Sequence, residues 1–151
     1  MSHSIRISLT LPCNQERAWQ AIADWEGQGN WMLQSKVWVT SQIREGVGTS
    51  IAAFTGPFYK RYPKFAALGL LDTMVVTNWQ PPIRCDVLHT GKVLKGTGTF
   101  ELIEISNNAT RFNWSEDIEC SRLQFLAIYP FLWIGVRISL ARLSTSLRPP
   151  E

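Results

Sequence analysis

The sequence predicts an α+β domain in which a curved, antiparallel, seven-stranded sheet wraps around a long carboxy-terminal helix. Three features carry that expectation. The chain opens on an alternating apolar stretch (Ile5, Ile7, Leu9, Leu11) that runs through Pro12 into a short helical pattern. Six β-type segments follow with short turns between them, which implies antiparallel pairing. The last third of the chain is long, apolar and helical in pattern. The predicted order is β-αα-β6-α.

Each element has a local reason. Period-two alternation puts the first strand over residues 5–11. Asn14 is suited to cap a helix over residues 15–23, because its side chain can accept a bond from a free amide of the first turn. Residues 26–32 read as a second, short helical turn, broken near Gly27 and Gly29. Residues 35–43 are β-branched and aromatic, Glu45-Gly46-Val47-Gly48 is a turn signal, and residues 49–55 return as the second arm of a hairpin. A strand over 70–79 is closed by Pro81-Pro82. Strands over 83–90 and 93–105 are joined at Gly91-Lys92, and Ser106-Asn107-Asn108 turns the chain into a strand over 110–118. Ser121 is placed to cap the last helix, which Pro149-Pro150 ends. From Val136 that helix is amphipathic, with Val136, Leu140, Leu143 and Leu147 in 4-3-4 spacing.

Composition narrows the function classes. A chain of 151 residues is most simply one domain, residues 1–151, long enough for a core without disulfides or metals. Seven tryptophans are many for this length, and such large side chains often wall a groove or pocket. The net charge of +3 is mild and there is no Lys/Arg block, so no nucleic-acid partner is expected. Cys13, Cys85 and Cys120 are odd in number and scattered, which points to a reducing cytoplasm. The opening has no apolar run of secretion-signal length, so the sequons at Asn108 and Asn113 carry no weight. Residues 123–136 are almost wholly apolar but too short to span a bilayer, and Pro130 sits among them. This stretch reads as a buried helix, with an interfacial helix as the alternative.

The residues also carry a resemblance. Pro12 followed by Arg17-Ala18-Trp19 and Ile22-Ala23-Asp24-Trp25-Glu26, the Trp31-Met32 pair and the Gly46-Val47-Gly48-Thr49 turn resemble the START-like (Bet v 1-like) superfamily, and more narrowly the bacterial polyketide cyclase/dehydrase and lipid-transport group. Asp72 to Thr77 with Trp79 and Pro81-Pro82, and His89-Thr90-Gly91-Lys92-Val93 with Gly96-Thr97-Gly98-Thr99-Phe100, are similar to it as well. The resemblance spans nearly the whole chain and implies a helix-grip fold and a class of ligand. Its motifs mark turns and core positions and carry no catalytic residue. The stretch 57–69 departs from the pattern, being longer and more aromatic than a plain strand connection.

No metal-ligand spacing, nucleophile elbow, dinucleotide fingerprint or phosphate loop occurs, so neither metal nor cofactor is expected; Gly96-Thr97-Gly98 reads as strand glycines. In the strand over 110–118, Phe112, Trp114 and Ile118 share a face with Glu116. A carboxylate on an apolar face has a raised pKa if it meets a cavity, which makes Glu116 a candidate acid or ligand contact; water at the strand's open end is the alternative. His89 shares a face with Val87 and Cys85, and is a candidate to pair with a ligand, with Glu116, or within the core. Phe58, Tyr59, Tyr62 and Phe65 interleave with Lys60, Arg61 and Lys64, as suits a lid over an apolar ligand with an anionic head, a transient membrane contact, or a solvated loop. On the last helix, Leu126, Tyr129, Trp133 and Val136 fall on one face and are candidates to line a cavity or pack a core.

The expected function is noncovalent binding of a hydrophobic or amphipathic small molecule, lipid or polyketide-like, by a monomer or homodimer. The alternative is a cyclase or dehydratase using Glu116 or His89 as acid/base. A partner-binding domain that pairs through residues 58–65 is a third reading.

Overall fold

The computed structural model describes residues 2–149, apart from residues 59 and 93 and the side chain of Leu68. The elements are β1 (Ser2–Leu11), α1 (Gln15–Ala23), a 3-10 turn (Glu26–Asn30), β2 (Ser35–Val39), β3 (Ser50–Thr55), a second 3-10 turn (Pro63–Leu68), β4 (Leu70–Gln80), β5 (Arg84–His89), β6 (Gly96–Ser106), β7 (Ala109–Glu119) and α2 (Arg122–Ser146). The expectations placed on Tyr59, Val93 and Pro150 lie outside the described residues.

The strands form one sheet in the order β1-β7-β6-β5-β4-β3-β2. Every neighbouring pair is antiparallel. Alternation decides which face is buried: Ile5, Ile7 and Leu11 of β1 point inward, as do Phe112, Trp114 and Ile118 of β7. Asn14 accepts a bond from the Arg17 amide at 2.8 Å and starts α1. Ala18, Trp19 and Ile22 of that helix are buried. Trp19 and Trp25 pack against Trp79 with ring centroids 5.0 and 6.2 Å apart.

Several boundaries differ from the sequence reading, each for a local reason. β1 begins at Ser2, because β7 offers partners as far as Glu119. β2 ends at Val39, and its connection to β3 is a ten-residue loop, 40–49, rather than a tight hairpin. The turn itself lies where it was expected: Gly46 and Gly48 take φ of +90° and +94°, a region closed to most side chains. The segment 63–68 coils into a 3-10 turn behind Pro63.

α2 begins at a reciprocal cap. Ser121 Oγ accepts from the Gln124 amide at 3.2 Å, and Gln124 Oε1 accepts from the Ser121 amide at 3.0 Å. Val136, Leu140, Leu143 and Leu147 are buried in the core, as their spacing predicted. Ser139 Oγ accepts from the Leu33 amide at 2.9 Å, and Arg142 donates to the Asn30 carbonyl at 3.0 Å. The first half of α2 corrects the expectation of a buried helix. Within 123–136 only Val136 is buried; Leu123 is 79% and Phe131 80% exposed. The reason is geometric: this half passes over a cavity, so its lower side meets open space, and no further layer covers its upper side.

Replacing Ser121 by Ala removes half of the cap. The expected loss is about 1 kcal/mol of stability, read by chemical denaturation.

Candidate functional site

Between the concave face of the sheet and the first half of α2 lies a cavity of about 580 Å³. Its wall is mostly apolar. Val37, Ile51 and Met74 come from the sheet, Phe100 and Trp114 from β6 and β7, and Ile128, Leu132 and Val136 from α2. Gly135 faces it too, and a Cβ built there would meet nothing within 4 Å. A glycine inside a helix costs about 1 kcal/mol relative to alanine, and here its missing side chain adds room.

One polar cluster interrupts this wall. His89, the last residue of β5, has a side chain only 2% exposed. Its Nδ1 lies 2.9 Å from Asp72 Oδ1 on β4, and its Nε2 lies 2.8 Å from Glu116 Oε2 on β7. β5 and β7 are not neighbours, since β6 runs between them. Side chains on strands so separated start about 9–10 Å apart, twice the strand spacing. They meet because β6 carries no side chain where they must cross. Gly96 stands opposite both His89 and Ile118, and Gly98 stands opposite Glu116. A Cβ on Gly98 would sit 2.9 Å from Glu116 Oε2. The Gly96-Thr97-Gly98 sequence is thus a trough through which β7 reaches β5.

The electrostatics follow from burial and pairing. Burial disfavours a charged imidazole, but the hydrogen bonds to Asp72 and Glu116, with their charges, outweigh it and raise the His89 pKa from 6.5 to about 10. Burial pushes the Glu116 carboxyl above its ordinary range, and the bond and charge of His89 offset this only in part. With His89 protonated, both ring nitrogens donate, one to each carboxylate, and the Trp114 side chain adds a hydrogen bond to Glu116. The two carboxyl groups are more exposed to the cavity than the imidazole between them. The cluster therefore presents hydrogen-bond acceptors to the cavity and keeps the imidazole behind them. Cys85 also faces the cavity, but burial first and Asp86 second push its thiol up to about 12, so it is a poor nucleophile. Among the described residues no group of His, Cys, Asp and Glu is placed to hold a metal ion.

The sequence-predicted site residues fall into three groups. Trp114, Glu116 and His89 come together at the cavity wall. Phe112 shares their face but is fully buried in the core, its ring 5.6 Å from that of Phe100. The α2 candidates need correction. Leu126, Tyr129 and Trp133 sit roughly 90–150° around the helix from the cavity-facing arc of Ile128, Leu132, Gly135 and Ser139. Packing of the Val136–Leu140–Leu143–Leu147 stripe sets that rotation. Leu126 is exposed and Tyr129 tilts against Phe125, whereas Trp133 is half-buried against the core, the alternative role expected of it, and carries Arg137 over its ring at 4.9 Å. The lid candidates lie outside the cavity. Lys60 donates to the Gly29 carbonyl at 2.8 Å, Arg61 stacks on Tyr62, and Phe58 and Tyr62 are exposed. Among the described residues no Lys or Arg lines the cavity, and the protonated His89 on its wall is already held by two carboxylates, so the expected anionic head group has no unpaired cation there to meet. Asp72 is the residue missed by the reading of sites. The signal that singled out Glu116 was available for it, since Asp72, Met74 and Val76 alternate on one face of β4.

Four outcomes test this geometry. Both shifts mean that the folded chain holds protons more tightly than the unfolded one, so stability falls as pH rises. The His89 contribution is complete below 6.5 and lost as pH climbs through about 10, and the Glu116 contribution starts to be lost above 4.5. NMR of the His89 ring should show no titration across the pH 5–8 window in which an ordinary histidine changes charge. Replacing His89 by Phe strands two carboxylates and should cost about 3–5 kcal/mol in denaturant melts. Replacing Gly98 by Val should displace Glu116 and return the His89 pKa toward its ordinary value, with about 1–3 kcal/mol lost to overpacking.

No protein-family model matches the chain, and no curated protein matches it in sequence. Solved structures do match it in fold. A START superfamily protein from Mycobacterium smegmatis superposes with a TM-score of 0.75 at 10% identity, covering 97% of this chain and 99% of that one. The Zhui aromatase/cyclase from Streptomyces sp. R1128 gives 0.66 at 11% identity, covering 97% and 92%. The Aha1 dimer from Colwellia psychrerythraea gives 0.67 at 17% identity, covering 96% of each. At such identities the likeness is one of fold. With its antiparallel seven-stranded sheet curved around a C-terminal helix, the chain has the START-like, helix-grip fold.

Proposed function

We propose that residues 1–151 act as one cytoplasmic START-like domain that binds a hydrophobic or amphipathic small molecule in the cavity under α2. The observation that carries this reading is an open cavity of about 580 Å³ with apolar walls and one polar cluster. Apolar burial supplies the affinity, at about 25 cal/mol per Å². The carboxyl groups of Asp72 and Glu116, both on the cavity wall, orient the ligand and select its polar group. They favour a hydroxyl, amine or amide N–H and repel a carboxylate. The ligand class is therefore a hydrocarbon or ring body with a hydrogen-bond donor at its inner end. Three unpaired cysteines suit a reducing compartment.

A second reading has its own support. Glu116, raised in pKa and backed by His89 and Asp72, is equipped to take a proton from a ligand hydroxyl or return one, as a cyclase or dehydratase requires. The aromatase/cyclase among the fold neighbours suits the same idea.

The test is a binding panel. Tryptophan quenching, with Trp25 and Trp114 at the cavity wall, is measured against an alcohol, an amine and a carboxylic acid of equal chain length. Native mass spectrometry reads the same mixtures. The alcohol and amine should bind about tenfold or more tighter than the acid, the scale of one charge-assisted hydrogen bond. Replacing Gly135 by Leu should take up part of the cavity and weaken quenching while the fold persists. No binding by any member of the panel sinks the carrier reading, and an acid that binds as tightly as the alcohol sinks the head-group assignment. Turnover lost in Glu116→Gln with binding retained favours the enzyme.

A further inference from the structure

The mouth of the cavity has two rims, and both are apolar. On one side Pro57, Leu70 and Leu71 border the opening and are exposed. Phe58, beside them, holds φ at +56°, a conformation bulky residues rarely adopt, and is 64% exposed. On the other side stands α2. Its exposed side chains are not scattered: Leu123, Ala127, Phe131, Ile134 and Ile138 follow 4-4-3-4 spacing and form one stripe. On the helical wheel that stripe lies roughly opposite the buried stripe of Val136, Leu140, Leu143 and Leu147. This is where a helix on a water-exposed surface carries polar residues. A contiguous apolar face of this kind marks a contact surface.

Charge identifies what covers it. No acidic residue occurs between residues 57 and 71, where Lys60, Arg61 and Lys64 lie. None occurs along α2, which carries Arg122, Arg137 and Arg142. All 12 acidic residues of the chain are elsewhere. The two rims also join. Lys60 and Arg142 bond to the neighbouring carbonyls of Gly29 and Asn30, and burial together with the Arg142 charge lowers the Lys60 pKa. A two-fold dimer brings a patch against itself, so here it would set cations on cations. An anionic bilayer offers the complement to both properties, with negative head groups for the cations and hydrocarbon for the stripe.

We propose that the rim formed by α2 and residues 57–71 docks on an anionic lipid bilayer, with α2 lying in the interface and the cavity mouth opening toward the lipid. α2 is long and apolar enough in composition to cross a membrane. Its second half, however, is held in the core and bonded to Leu33 and Asn30, so the helix lies on the bilayer rather than through it. The purpose of docking, exchange of a ligand between bilayer and cavity, rests on the carrier reading; the docking itself is measured without any ligand.

The experiment is vesicle flotation of the full, unloaded chain with phosphatidylcholine alone and with phosphatidylcholine mixed with phosphatidylglycerol. Binding to the mixed vesicles, weak binding to the neutral ones and release by salt are expected. The double substitution Arg61→Glu/Lys64→Glu should lower partitioning about tenfold or more. Phe131→Asp, at an exposed position that leaves the core intact, should lower it as well, with circular dichroism as the fold control. Equal affinity for both vesicle types, no binding to either, or binding untouched by these substitutions overturns the proposal. So does a concentration-dependent dimer that Phe131→Asp dissolves, which assigns the face to a second copy. Ligand binding without vesicle binding defeats the docking and leaves the carrier standing; vesicle binding without ligand binding does the reverse.

Discussion

The structure depends on the uneven hold of α2. Its second half is fastened by Val136, Leu140, Leu143 and Leu147, by Ser139 to Leu33, and by Arg142 to Asn30. Its first half is tied near its start, where Phe125 stacks on His3 of β1 with ring centroids 4.7 Å apart. Between these attachments the helix bridges the concave face without filling it. Gly135 adds to the gap by bringing no side chain to the wall. The cavity, its mouth and the exposed stripe above it all follow from a helix supported at both ends and free in the middle.

The second determinant is the trough in β6. Protein interiors accept a buried carboxylate only when it is paired, and Glu116 finds its partner two strands away. Glycines at 96 and 98 remove the side chains that would otherwise stand between. The outcome is a division of polarity along one axis. Acceptor oxygens lie inside, an apolar wall surrounds them, and an apolar rim carrying cations lies at the mouth. A ligand whose hydroxyl or amine enters first and whose hydrocarbon trails toward the opening matches that axis, and a membrane at the mouth continues it.

Much of the fold was legible because its signals are local. Period-two alternation found the strands, Asn14 and Ser121 marked helix starts, and the 4-3-4 spacing of leucines named the core side of α2. The site was legible only in part. Glu116 was visible as a carboxylate on an apolar strand face, and Asp72 carried the same signal unnoticed. Leu126, Tyr129 and Trp133 were candidates for cavity or core, and a helical wheel could not decide because it gives relative angles without an origin. The origin came from packing of the second half of α2, which turned the cavity arc to Ile128, Leu132 and Gly135.

The sequence by itself therefore determined which elements form, in what order, and which face of each strand is apolar, since these depend on residues a few positions apart. Tertiary structure alone decided that an apolar stripe of α2 stays outside, that the strand glycines serve as a passage, and that Asp72, His89 and Glu116 meet. Those outcomes require the register of four strands and the distance between a helix and a sheet. Neither quantity is carried by any short segment of the chain.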